Sequence, residues 1–178
     1  MTAPSVTVIV AVRNGSNFIA QCLQSITEQT LAPDEILVID GASTDNTVEI
    51  ANGFDLVRVV PQRNLGIADA YNQGVADATG EIIGWLSHDD TWEPRKLEMQ
   101  VGGLVANPTW RYVVCRRRYH LEPGCEPPPG FRTELLEKDP PVSFCMETFV
   151  SWASVFDEVG GFDDRFAVAN DVDWFARA

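Results

Sequence analysis

The sequence predicts an α/β fold, a mostly parallel sheet flanked by helices on both faces. Three observations carry this. Apolar runs of strand length alternate with helix-period segments through the first 115 residues. The runs are continuous and rich in β-branched residues, which suits strands covered on both sides. Each is closed by a turn signal before an amphipathic stretch begins, the rhythm of β–α units joined by right-handed crossovers.

The first strand is Val6–Val12, broken by Asn14-Gly15-Ser16. A helix follows, with Phe18, Ile19, Cys22, Leu23 and Ile26 along one face. Pro33-Asp34 turns the chain into a second strand, Glu35–Ile39, which ends at Asp40-Gly41. Ser43 or Thr44 can cap the short helix that carries Val48 and Ile50. Leu56–Val60 is the third strand, closed by Pro61. "NLGIADAYNQGVADATG" then places Ile67, Ala70, Tyr71, Gly74, Val75 and Ala78 at helical spacing, with Gly80 as the stop. Glu81–Leu86 is the fourth strand. Pro94 opens a helix with Leu97, Val101, Leu104 and Val105 on one face, and Trp110–Cys115 is a fifth strand.

Beyond Cys115 the pattern loosens. The segment 121–141 is too rich in proline for a regular element and reads as a loop or lid over the rim of the sheet. "SFCMETFVSWASVFDEVGGFDDRF" returns to an extended piece, a short helix and a tight turn at Gly160-Gly161. A last helix begins near Asn170, a candidate cap, and the chain reaches Ala178 about two turns later.

At 178 residues, with 45% hydrophobic and 22% charged residues, the chain suits one globular domain, 1–178. A formal net charge of -13 argues against nucleic acid as a partner. The one basic cluster, Arg116-Arg117-Arg118 with Arg111 nearby, reads as a solvated edge or as a contact for phosphate, acceptor or a lipid surface. Cys22, Cys115, Cys125 and Cys145 form no CxxC pair, and a reducing, cytoplasmic setting is expected. No stretch reaches the roughly 20 apolar residues that span a bilayer. GxSxG, GxxxxGK[ST] and GxGxxG are all missing, which argues against a hydrolase elbow, a P-loop and a dinucleotide fingerprint.

Ligands of such sheets sit beyond the carboxyl ends of the strands. Arg13-Asn14, Asp40-Gly41, Gln62-Arg63-Asn64 and His88-Asp89-Asp90 all fall there. Each has two readings on its residues alone. Asp89-Asp90 is either a solvated turn or a place where a hard cation bridges carboxylate and phosphate. Asp40-Gly41 is either an ordinary turn or an acceptor for a ligand N–H. Asp171 and Asp173 either complement a helix dipole or offer a general base. The tryptophans are expected in the core, with Trp152 or Trp174 as an alternative platform for a sugar ring.

Together these pieces resemble the inverting nucleotide-sugar glycosyltransferases of family 2, of GT-A type with a Rossmann-like sheet. "VTVIVAVRNGSNFIAQCLQSITEQT" is similar to the family's opening strand and helix, and "EILVIDGASTDNTVEI" to its base-contacting strand and turn. "NLGIADAYNQGVADATGEIIGWLSHDD" resembles the approach to its DxD-type metal site, and "VGGFDDRFAVANDVDWFAR" the segment ending in its catalytic acid. Four ordered motifs are far more specific than one.

The resemblance implies roles. Asp171 would deprotonate the acceptor. Val12, Arg13, Asn14, Asp40, Arg63 and Asn64 would line the nucleotide site. Asp89 would contact the ribose or donor sugar, and Asp90 would hold Mg2+ or Mn2+. The donor would be a nucleotide-diphosphate sugar, a UDP-sugar first among them, and the acceptor an alcohol in polysaccharide, glycolipid or glycoconjugate synthesis. Residues 1–115 would bind nucleotide and 116–178 would serve the acceptor side, the latter shorter than in the family. The location would be cytoplasmic, with peripheral contact at the inner membrane face as an option. Two departures stand out. His88 sits where DxD has its first acid, and Asn170 replaces a frequent Glu. The rival readings are a non-catalytic nucleotide-sugar-binding domain and, further off, a nucleotidyltransferase.

Overall fold

The computed structural model describes residues 3–121, 124–137, 139–166 and 168–178. In chain order the elements are β1 (Val6–Val12), α1 (Ile19–Thr27), β2 (Glu35–Asp40), α2 (Thr47–Ala51), β3 (Val57–Pro61) and α3 (Ile67–Asp77). Then come β4 (Ile82–Trp85), α4 (Lys96–Ala106), β5 (Tyr112–Val114), α5 (Glu134–Glu137), a 3-10 turn (Met146–Thr148), β6 (Phe149–Trp152), α6 (Val155–Val159) and α7 (Asn170–Arg177). The strands form one sheet in the order β3-β2-β1-β4-β6-β5. The first four are parallel, as their continuous apolar runs predict. β6 enters antiparallel between β4 and β5, so the fifth strand by sequence lies at the edge.

Alternation along β1 sorts the core into two layers. Val6, Val8, Val10 and Val12 pack with Ile19, Leu23 and Ile26 of α1 and Leu97, Val101 and Leu104 of α4. Ile9 and Ala11 pack on the other face with Tyr71, Trp85, Phe149, Phe156 and Trp174. That second layer is strongly aromatic. Trp174 lies 4.9 Å from Phe156 and 5.0 Å from Phe149, ring centre to ring centre, and such pairs contribute about 0.5–1.5 kcal/mol beyond burial. Trp174 is therefore a core residue, fully buried, and no sugar platform. α3 approaches β1 closely because Gly74 has no side chain; a Cβ there would meet Ile9 Cγ2 at 2.6 Å.

Three local expectations change. Neither Ser43 nor Thr44 caps α2; the Asp45 carboxylate accepts from the Thr47 N–H at 3.0 Å instead. Asn170 is the first residue of α7 and is buried, while Ala169 takes the cap position in the left-handed region at φ 60°. The proline-rich stretch holds one helical turn, α5, that its composition hid; its Glu122, Pro123 and Lys138 lie outside the described residues.

Candidate active site

The parallel strands bring their carboxyl ends to one rim, and Val12, Asp40 and Pro61 stand side by side there in register. The loops after β1 and β2 are laced together. The Asn14 N–H donates to Ser43 Oγ at 2.9 Å, and Asn14 Oδ1 accepts from the Thr44 N–H at 2.8 Å. The Gly15 N–H donates to Thr47 Oγ1 at 2.8 Å. Asp40 is buried, and its carboxylate accepts from the Ser43 N–H. Arg13 stays exposed beside Gly41. Asn14 and Ala42 both hold positive φ, 53° and 60°. Non-glycine residues rarely accept that conformation, and such strain gathers at functional sites.

The loop after β3 is fixed differently. The Arg63 guanidinium is committed to the Asp77 carboxylate at 2.6 Å, and Asn64 donates to Asp69 at the start of α3. The structure thus gives both side chains work in anchoring α3 to the β3 end.

β4 delivers the acids. Its hydrogen bonding to β1 continues through the Leu86 N–H to Ile9 O, and the chain then turns sharply, Asp90 N–H to Ser87 O at 3.1 Å. The His88 ring lies over Gly15; a Cβ on Gly15 would sit 2.4 Å from His88 Cδ2. A side chain at position 15 would push the His88-Asp89-Asp90 turn off the β1 loop. Asp89 and Asp90 are exposed at the tip.

The 3-10 turn that leads into β6 adds a carboxylate that sequence reasoning passed over. Glu147 accepts from Ser87 Oγ at 2.6 Å, and its carbonyl accepts from Trp92 Nε1. No local signal marked it, because the burial of Met146 and Thr148 on either side comes from tertiary packing. Desolvation, then the Glu147 charge, then Asp89 push the Asp90 carboxyl up to about 6, while Arg117 and His120 pull the other way. The rim therefore has an excess of negative charge centred on Asp90. Among the described residues no three His, Cys, Asp or Glu side chains form a metal cage. One carboxylate in an electronegative rim still fits Mg2+ or Mn2+, ions that take one or two protein carboxylates and complete their shell with phosphate and water.

Asp171, at the start of α7, belongs to the opposite layer. Its charge is felt at the buried Tyr71 hydroxyl. Burial raises the Tyr71 hydroxyl, followed by the charges of Glu147 and Asp171, with a hydrogen bond to Ser87 opposing and Asp89 adding to the rise. The field at one phenol oxygen thus joins Glu147, Asp171 and Asp89. A cavity of about 860 Å³ opens from Asp90 toward α4 and β5; Asp40 and Asp171 are not among its walls.

The sheet, parallel through four of its six strands and with acids on its carboxyl rim, has the Rossmann-like arrangement of the GT-A type. The profile of Glycosyl transferase family 2 matches residues 7–160, and the chain belongs to that family. It is 38% identical over 104 residues to an uncharacterized glycosyltransferase of Rickettsia felis, covering 57% of this chain and 17% of that protein. It is 29% identical over 185 residues to the chondroitin synthase of Pasteurella multocida, covering 98% of this chain and 19% of that protein. The chain thus spans about a fifth of the length of these curated relatives. S. aureus TarS 1-349 in complex with UDP superposes with a TM-score of 0.73 at 17% identity, over 96% of this chain and 53% of that one. The mannosyltransferase PcManGT of Pyrobaculum calidifontis, in complex with GDP-Man and Mn2+, gives 0.70 at 25% identity, over 96% and 51%.

Proposed function

We propose that the chain transfers a sugar from a nucleotide-diphosphate sugar, with UDP as the first candidate nucleotide, to an acceptor hydroxyl with inversion. The observation that supports this is that Asp40 and the Asp89-Asp90 turn follow adjoining parallel strands at the carboxyl rim of a family 2 chain. Asp40, set in the strained loop pair with Val12, Arg13 and Asn14, accepts from the base; Arg63 and Asn64 hold the adjoining wall. Asp89 contacts the ribose or the donor sugar. Asp90 would hold Mg2+ or Mn2+, which when bound screens the diphosphate and favours its departure. The bound metal in PcManGT supports that reading.

In the chemical step the Asp171 carboxylate takes the acceptor proton. The acceptor oxygen bonds to the anomeric carbon as the bond from that carbon to the phosphate oxygen breaks. The electron pair leaves with the nucleoside diphosphate, and one displacement inverts the centre. Acceptor classes in polysaccharide, glycolipid or glycoconjugate synthesis all fit this step. Among the described residues no helix is long and apolar enough to cross a membrane; a cytoplasmic setting, with peripheral contact at the inner membrane face, is the proposed location.

The test is donor turnover with Mn2+ in wild type and Asp171→Asn. The variant is expected to bind UDP and Mn2+ normally and to lose transfer by at least about 100-fold, the scale of a lost general base. Equal turnover in the two proteins would remove Asp171 from the mechanism.

A further inference from the structure

Glu147 is a carboxylate that the transfer step does not use, yet it stands beside acids that the step needs. The antiparallel register of β4 and β6 pairs Gly84 with Val150. Carried three residues further, that register sets Ser87 opposite Glu147, where β4 gives way to the acid turn. The two side chains meet there, Ser87 Oγ donating to Glu147 Oε1 at 2.6 Å. Beyond the turn, the Trp92 indole N–H donates to the Glu147 carbonyl at 3.1 Å. One residue thus fastens both ends of the stretch that carries His88, Asp89 and Asp90.

The anchor is itself held firmly. Met146 and Thr148 on either side are buried. Thr148 Oγ1 donates to the Ser143 carbonyl at 2.7 Å, and Gln100 Nε2 donates to the Thr148 carbonyl at 2.9 Å. The turn, by contrast, is closed by the bond from the Asp90 N–H to Ser87 O and exposes two like charges. Adjacent carboxylates repel, and a turn they splay must be ordered again when a ligand binds, at a cost in affinity. A third carboxylate nearby adds to the repulsion; its charge-assisted bond to Ser87 is what offsets that.

From this geometry we infer that Glu147 is a positioning residue for the diphosphate end of the donor. It holds the Ser87 end of the turn, so that Asp90 meets cation and diphosphate without reorganisation. The inference rests on the transfer reading above and adds a residue to it. It also gives the reversed direction of β6 a purpose. A strand running that way brings its first residues, not its last, to the carboxyl end of β4.

The test is calorimetric titration of the 178-residue chain with UDP, with and without Mn2+. Glu147→Ala and Ser87→Ala are each expected to weaken Mn2+-dependent UDP binding about 10-fold and to leave metal-free UDP binding unchanged. Damage to the fold as a whole would weaken both. The double variant is expected to lose no more than either single one, because both changes remove the same bond. Glu147→Gln keeps an acceptor for Ser87 and is expected to return affinity to within about threefold of wild type. Full metal-dependent affinity in both single variants, losses that multiply in the double variant, or a Gln variant no better than the Ala variant each overturns the positioning role alone. A wild type that binds no UDP, with or without Mn2+, overturns the transfer reading and the positioning role together, which separates the two failures.

Discussion

Asp90 and Lys96 sit near each other in sequence and are perturbed in opposite senses. The folded chain holds the Asp90 proton up to about pH 6, whereas the unfolded chain releases it near 3.8. Stability of the metal-free protein is therefore expected to fall as pH rises through that window. Cation binding needs the ionised form, so Mn2+-dependent UDP affinity is expected to rise over the same window, as calorimetry at pH 5 and pH 7 would read. Burial pushes the Lys96 amine down to about 7. Above that pH the unfolded chain binds the proton and the folded chain does not, so stability rises with pH toward the ordinary lysine range. Lys96→Met is expected to flatten that slope and to stabilise the fold by about 1–3 kcal/mol, as urea melts would show.

The elements show which signals a sequence carries. Period and turn chemistry made β1 through α4 readable, because each buries one clear face or stripe. Cap positions were less readable. Asp45, Ala169 and Asn170 trade roles through tertiary contacts that propensity does not register. The β1–α1 loop was readable as a break, but its reason is spatial: Gly15 leaves room for His88 from the turn that follows β4. Gly15→Ala is expected to displace the His88-Asp89-Asp90 turn and weaken UDP–Mn2+ binding by about 10-fold or more, with little loss of helicity by circular dichroism. Ala169→Gly, at φ 60°, is expected to stabilise α7 by about 0.5–1 kcal/mol in a denaturant titration.

For the whole molecule, the fold class and the aspartates on the rim were legible because both follow from strand ends in a parallel sheet. Glu147 and the cavity beside Asp90 were not, although the Arg116-Arg117-Arg118 cluster on its wall stood out. They depend on β6 entering the sheet out of order, and nothing local in "CMETFVSW" announces its neighbours. The aromatic layer is where α7 is tied down, and Trp174→Ala is expected to cost about 3–5 kcal/mol in a urea melt.

The late arrival of β6 also governs how the protein is made. On the ribosome β4 emerges some 65 residues before its antiparallel neighbour. Until then its free edge is a row of unmated amides open to any other chain. A fragment ending near residue 120 should therefore self-associate, and the segment that carries β6 acts as the seal on a half-finished sheet.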